Sequence, residues 1–314
     1  MKREGVSICI TAYKAQEFIK ECLDSVINQT WFKTHNEWEI IVGIDGCEET
    51  LEYVKSIMSN YKNLRVLMMD SNKGTYITTN TIMKEAKYEN LFRFDSDDIM
   101  CQNLVEIVMD KKEDCSYLRY KLKNFGSSNK VITACGTVYL TKTLFEKCGG
   151  FRPWICSADD ELYYRIYFDE KTKVLDDILM YRRCHPNSLT RSKETGLKSE
   201  KRRPYREIVH KMKNSNEPIV DFKIECVTNT FKEIKIENEN EEMKEKYIET
   251  LPDKDWSNEL YKDTKEENTI VRTIKLESTN ERYSKIMRLR KDIANGKIVK
   301  VYVGDGKFVW KRIR

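Results

Sequence analysis

The sequence predicts an α/β fold, a mostly parallel central sheet with helices on both faces, followed by a small C-terminal α+β module. Three observations predict it. Over the first 110 residues four apolar runs alternate with segments of helical spacing, and each run ends in a polar cluster. The end of the chain reads differently, as an amphipathic stretch followed by lysines alternating with Val, Tyr, Phe and Trp.

In order, VSICI (6–10) is a buried strand, and QEFIKECLDSVINQT follows with Phe18, Ile19, Cys22, Leu23 and Val26 at helical spacing. EIIVGI (39–44) is a second strand, with a helix from about Glu48 to Asn60. NLRVLMMD (63–70) is a third, a helix runs from Thr75 to Lys87, and LFRFD (91–95) is the fourth strand. Strands joined by helices in this way form right-handed βαβ units. A helix is expected to start near Met100. Residues 191–213 read as a basic connector or helix, 233–268 as a solvated helical or partly disordered stretch, 280–295 as a helix, and KIVKVYVGDGKFVWKRI as a hairpin turning at GDG. The chain therefore divides into 1–190, 191–279 and 280–314.

Composition narrows the function classes. The chain has 314 residues, 40% of them hydrophobic, enough for one domain of ordinary size plus a smaller one. No apolar run reaches the roughly 20 residues that span a bilayer, and no signal-peptide core follows the N-terminus, so a soluble cytoplasmic protein is expected. Ten cysteines are scattered without a CxxC pair, which reads as reduced core thiols. The net charge of +5 is uneven: residues 191–213 carry +6 and residues 282–314 carry +9, on an acidic body. Such basic segments suit either a polyanionic partner, nucleic acid or an anionic surface, or a solvated lysine-rich face.

In open α/β sheets, ligand groups gather at the carboxyl ends of the strands. Here the four ends carry Thr11, Ala12 and Tyr13; Asp45 and Gly46; Asp70, Asn72 and Gly74; and Asp95, Ser96, Asp97 and Asp98. No P-loop and no GxGxxG accompanies them, which argues against ordinary ATP and NAD sites. DSDD has two readings. Asp97 or Asp98 could cap the next helix, or the crowded carboxylates could share a hard cation, Mg²⁺ or Mn²⁺, with substrate phosphate oxygens.

The ordered series VSICITAYKAQEFIKECLDSVINQT, IIVGIDGCEET, NKGTYITTNTIMKEA, FRFDSDD, LFEKCGGF and SADDELYYR resembles the family 2 glycosyltransferases with the GT-A fold, over about residues 5–190. The resemblance implies a nucleotide-sugar donor, usually a UDP-sugar, a divalent metal (Mn²⁺ or Mg²⁺), and transfer with inversion to an acceptor hydroxyl of a glycan, a lipid-linked saccharide or a protein. Asp95 and Asp97 match the DxD motif, Asp97 as metal ligand and Asp95 toward ribose or metal. Thr11, Ala12 and Tyr13 match the loop that packs on the base, Asp45 the acid that meets uracil or ribose, and Asn72 and Gly74 a turn near the donor. Asn80 matches the Asn of an A-R-N element whose first two positions are here Thr78 and Thr79, so the Arg contact to the donor is missing from that place.

In SADDELYYRI, Asp159, Glu161, Leu162 and Arg165 match the family pattern while Ala158 replaces its first acid. That implies Asp159 as general base, with Asp160 its neighbour. A carboxylate in the first turn of a helix is also favoured by the dipole. Trp154, after CGGF, is expected to face the acceptor. YRRCHPNSLT resembles the late His-x-x-Ser element, which implies His185 near the metal or diphosphate, Ser188 near a phosphate, and Arg182 and Arg183 serving the diphosphate. Two other functions stay open at this point: a transferase acting on a hydroxylated DNA base, and a non-catalytic nucleic-acid or partner-binding protein on a decayed transferase fold.

Overall fold

The computed structural model describes residues 3–168, 170–215 and 222–235, and the backbone of 298–304 and 307–312. By contacts the chain forms two compact units, residues 1–213 with 220–256, and residues 214–219 with 257–314. The second is described only by an antiparallel pair, β11 (Ile298–Gly304) and β12 (Lys307–Arg312), which form the hairpin expected about GDG. The helix expected over 280–295 and nearly all of the charged stretch 233–268 lie outside the described residues.

The first unit is built on β1 (Arg3–Ala12), β2 (Trp38–Ile44), β3 (Leu64–Met69) and β4 (Tyr88–Asp95), paired in parallel in the order β3-β2-β1-β4. Beyond β4 lie β8 (Val138–Thr141), antiparallel to it, then β6 (Tyr117–Gly126), β9 (Thr172–Cys184) and the two-residue β5 (Ile99–Met100). β7 (Val131–Thr133) pairs with β6, and β10 (Phe231–Ile234) closes the other edge antiparallel to β3. Glu233 thus stands in an edge strand, where it meets Arg65, rather than in a solvated helix.

Period 2 along the strands splits the core into two layers. Ile8, Ile10, Val42, Phe92 and Phe94 face one side, with α1 (Ile19–Ile27), α2 (Glu48–Ile57) and α4 (Leu104–Lys111). Cys9, Ile41, Leu67 and Leu91 face the other, with α3 (Thr75–Glu85), α5 (Lys142–Cys148) and α6 (Ala158–Ile166). The described cysteines form no disulfide with one another. Among the described residues no helix is long and apolar enough to cross a membrane.

One local expectation is corrected. The helix expected from Met100 starts at Leu104 with Asn103 before it, because Ile99 and Met100 are taken by β5, which pairs with β9. DSDD therefore turns between two strands and caps no helix. α1 matches the apolar spacing of Phe18 to Val26 to within a residue, and Gln29 beyond its end bonds Cys101 and Val105. Gly149 and Gly150 end α5 with φ of +79° and +73°. The basic stretch after residue 190 becomes a loop and then α7 (Arg203–Asn214).

Candidate active site

All four parallel strands deliver their polar ends to one edge of the sheet, as Thr11, Asp45, Asn72 and Asp95 illustrate. Asp45 is buried and organises the turn after β3. One of its carboxylate oxygens accepts from Lys73 N (2.9 Å) and Thr78 Oγ1 (2.9 Å), the other from Gly74 N (3.0 Å). A carboxylate offers about four acceptor positions, so about one remains for a ligand. Gly46 permits this turn to close, because at φ +63° an added Cβ would lie 2.3 Å from Asn72 N. Thr11 and Thr75 hydroxyls meet at 3.1 Å, joining β1 to the start of α3. Ala12 is buried, Asn72 is exposed, and Tyr13 is 48% exposed at the rim beside Lys14.

The centre of the edge is Arg93, a buried guanidinium in an otherwise apolar strand. It pairs with Asp95 through both nitrogens (2.8 and 3.3 Å), donates to the Gly136 carbonyl, and reaches Thr75 Oγ1 at 3.3 Å. Its Nε has no partner among the described residues. The Tyr76 ring lies 5.8 Å from the guanidinium, and its hydroxyl donates to Asp159 Oδ1 at 2.6 Å. A Cβ on Gly136 would be 3.4 Å from Asp159 Oδ2 and 3.6 Å from Asp95 Oδ2, so both carboxylates border the same glycine. Burial raises the pKa of Asp95, against the pull of Arg93, and burial also pushes the Tyr76 phenol well up, keeping it a donor.

Asp97, Asp98, Arg183 and His185 form the other half. His185 Nε2 lies 2.9 Å from Asp97 Oδ2, and the side chains are 19% and 27% exposed. Asp98 is buried, accepts from Arg183 N at 2.9 Å, and has its pKa raised well up, by burial first and then by Asp97 and Asp95. Arg183 donates to the Asp97 carbonyl (3.1 Å) and to Glu21, between the rings of Phe18 and Phe125 at 5.0 and 4.6 Å. Arg182, on the alternate face of β9, turns instead to Asn124 Oδ1 at 2.9 Å. Ser188 Oγ donates to the His185 carbonyl, fixing that loop. Among the described residues no three of His, Cys, Asp and Glu converge where they could hold a metal together.

At the start of α6, Ser157 takes a left-handed φ of +67° and leads into Asp159 and Asp160. Asp160 is pushed up to about 6, by burial first and then by Asp159. Trp154 packs at a tilt of 42° against Tyr205, with centroids 4.9 Å apart. The other motif positions are structural. Glu161 pairs with Arg165 (2.9 Å) and Arg152 (2.8 Å), while Arg165, fully buried, donates to the carbonyls of Cys148, Gly150 and Phe222. Asn80 bridges Phe151 and Val227, and the buried Thr79 hydroxyl has no partner among the described residues.

Sequence reasoning missed Arg93, Tyr76, Gly136 and Glu21. An arginine inside LFRFD was a visible anomaly, since an interior strand position tolerates a cation only when it is paired. Nothing local marks the other three.

Residues 7–121 match the family described as "Glycosyl transferase family 2". Similar sequences include a UDP-Glc:alpha-D-GlcNAc-diphosphoundecaprenol beta-1,3-glucosyltransferase, WfgD, of Escherichia coli, 26% identical over 191 residues and covering 54% of this chain and 73% of that protein. Glycosyltransferase AglE of Haloferax volcanii is 31% identical over 93 residues, 29% of this chain and 30% of that one. Poly(ribitol-phosphate) beta-glucosyltransferase of Bacillus spizizenii is 35% identical over 95 residues, 30% of this chain and 15% of that one. The chain thus spans well under two thirds of several relatives that it matches. S. aureus TarS 1–349, solved in complex with UDP-GlcNAc, shares the fold with a TM-score of 0.56 at 16% identity, covering 98% of this chain and 97% of that one.

Proposed function

Residues 7–121 belong to glycosyl transferase family 2, and from that premise we propose that the chain is an inverting transferase moving a sugar from a UDP-sugar to an acceptor hydroxyl. The observation that carries this reading is the convergence of Asp159 and Asp95 beside the buried Arg93, with Asp159 held by Tyr76. The UDP-GlcNAc complex of a protein with this fold supports the donor class.

In this mechanism the base and ribose lie against Thr11, Ala12, Tyr13, Asp45 and the Asn72–Gly74 turn. Asp159 takes the proton of the acceptor hydroxyl as its oxygen attacks C1. The bond from C1 to the diphosphate oxygen breaks on the opposite face, and UDP departs. General-base help of this kind contributes about 10²- to 10⁴-fold. Arg183 and His185 face the diphosphate, Trp154 the acceptor, and Arg93 pairs with Asp95 and holds it in place.

A divalent ion fits Asp97 and His185, an open pair of ligands, provided substrate oxygens and water complete its shell. When bound, Mg²⁺ or Mn²⁺ would neutralise charge on the departing diphosphate. Asp95, already paired through both oxygens with Arg93, would act on that ion at second hand. No observation on the described residues favours a DNA acceptor or a non-catalytic binding role.

The test is nucleotide release from a panel of UDP-, GDP- and TDP-sugars with Mn²⁺, comparing wild type with Asp97→Ala and Asp159→Asn. Turnover of one donor, abolished by the first change and strongly reduced by the second, is expected. Absence of binding to every donor, with or without metal, would overturn the reading.

A further inference from the structure

The loop 188–202 joins the end of β9 to α7 and encloses an open hollow of about 380 Å³. Arg191, Ser192, Lys193, Lys198 and Ser199 line it. Its cations are not spent on its acids: Glu194 pairs with Lys201, and Glu200 with Arg203 at 2.7 Å. Arg191, Lys193 and Lys198 are exposed and have no ion-pair partner among the described residues. Three uncompensated cations and the hydroxyl residues Thr190, Ser192 and Ser199 around one concavity attract and hydrogen-bond a compact anion.

The loop is also fixed in shape and in place. Ser192 Oγ and Thr195 Oγ1 meet at 2.8 Å, and Gly196 N bonds Ser192 O at 2.9 Å. Arg202, only 5% exposed, donates to Thr195 O (2.6 Å), Leu189 O (3.1 Å) and Ser157 Oγ (3.2 Å). Ser157 precedes α6, whose first turn carries Asp159. One buried guanidinium therefore ties the cationic hollow to Ser157, two residues before the candidate base, and Tyr205 of α7 packs at a tilt against Trp154.

We propose that this hollow binds a phosphate group carried by the acceptor, so that the acceptor is a phosphorylated molecule rather than a neutral saccharide. The proposal rests on the transferase reading. The departing diphosphate already faces Arg183, so the hollow provides for a second anion. The phosphate belongs to a phosphodiester polymer or to a lipid diphosphate, and both present the same oxygens.

Calorimetric titration of the full chain with inorganic pyrophosphate, at saturating UDP, tests it. UDP fills the donor site, so heat from pyrophosphate reports a second anion site. Wild type is expected to bind, and K193E/K198E to bind about tenfold more weakly or worse, with UDP affinity kept within about twofold and weaker binding in added salt. Both lysines are exposed, and an unchanged thermal midpoint shows that the variant folds. No pyrophosphate binding beside UDP, or equal binding by the variant, overturns the proposal. So does a variant that loses UDP affinity, because the hollow would then belong to the donor site. If UDP fails to bind while pyrophosphate binds and the variant loses it, the transferase reading fails and the anion site stands. Displacement by a polyol-phosphate oligomer identifies a polymer acceptor, displacement by solubilised polyprenyl diphosphate a lipid-linked one, and displacement by neither overturns the acceptor assignment.

Discussion

The Tyr76 hydroxyl donates to Asp159 Oδ1 at 2.6 Å, across 83 positions of sequence. One oxygen of the candidate base is thereby held by α3, and the other, Oδ2, borders Gly136. Tyr76→Phe keeps the buried ring, which lies 5.7 Å from Phe151, and removes only the donor. A hydrogen bond to a charged group contributes about 1.5–3 kcal/mol. Transfer is expected to fall roughly 10- to 100-fold with UDP affinity nearly unchanged. Equal turnover by the variant would remove Tyr76 from the positioning of the base.

Gly136 has room for no side chain. An added Cβ would stand 2.9 Å from Arg93 Nη1 and 3.4 Å from Asp159 Oδ2, so Gly136→Ala must shift one or both groups. Displacements of about 1 Å near reacting groups can cost on the order of 100-fold. The expected outcome is a folded protein with a near-native thermal midpoint and strongly reduced kcat, and native kcat would contradict it.

Arg165 and Glu161 match the same motif as Asp159 but hold the scaffold. Arg165→Met leaves the carbonyls of Gly150 and Phe222 without this donor, Cys148 O with Ile224 N alone, and Glu161 with Arg152 alone. Breaking a buried pair from one side costs about 3–5 kcal/mol. Urea denaturation is expected to register that loss. A variant of native stability but without activity would reverse the assignment.

Asp160 has a folded-state pKa pushed up to about 6. From about pH 4 to pH 6 the unfolded chain has lost this proton while the folded chain keeps it, so this carboxyl makes stability fall as pH rises through that window. Asp160→Asn removes the penalty. Its thermal midpoint is expected to exceed wild type by roughly 2–4 °C or more at pH 7.5 and to match it near pH 4. An advantage that grows toward acid would contradict burial beside Asp159 as the cause of the raised pKa.

Much of the fold was legible because its signals are local. Strand runs such as EIIVGI and the helix spacing of Phe18 to Val26 follow from period 2 and period 3.6, and each predicted strand ends in polar residues where the edge of the sheet is, with an acid at three of the four ends. The exceptions are places where a distant partner overrode the local signal. Ile99 and Met100 joined β9 instead of starting a helix, and Glu233 joined β3.

By itself the sequence determined the order of elements and the set of acids brought to one edge, since alternation and turn chemistry act over a few residues. Only the tertiary structure decided how those acids are divided: Asp95 to Arg93, Asp97 to His185, Asp98 to the backbone of Arg183, Asp159 to Tyr76, and Asp45 to the turn after β3. Each pairing joins groups distant in sequence or sets a burial that no local spacing encodes. Charge interaction and desolvation depend on separation and burial in space, which exist only once the sheet has closed.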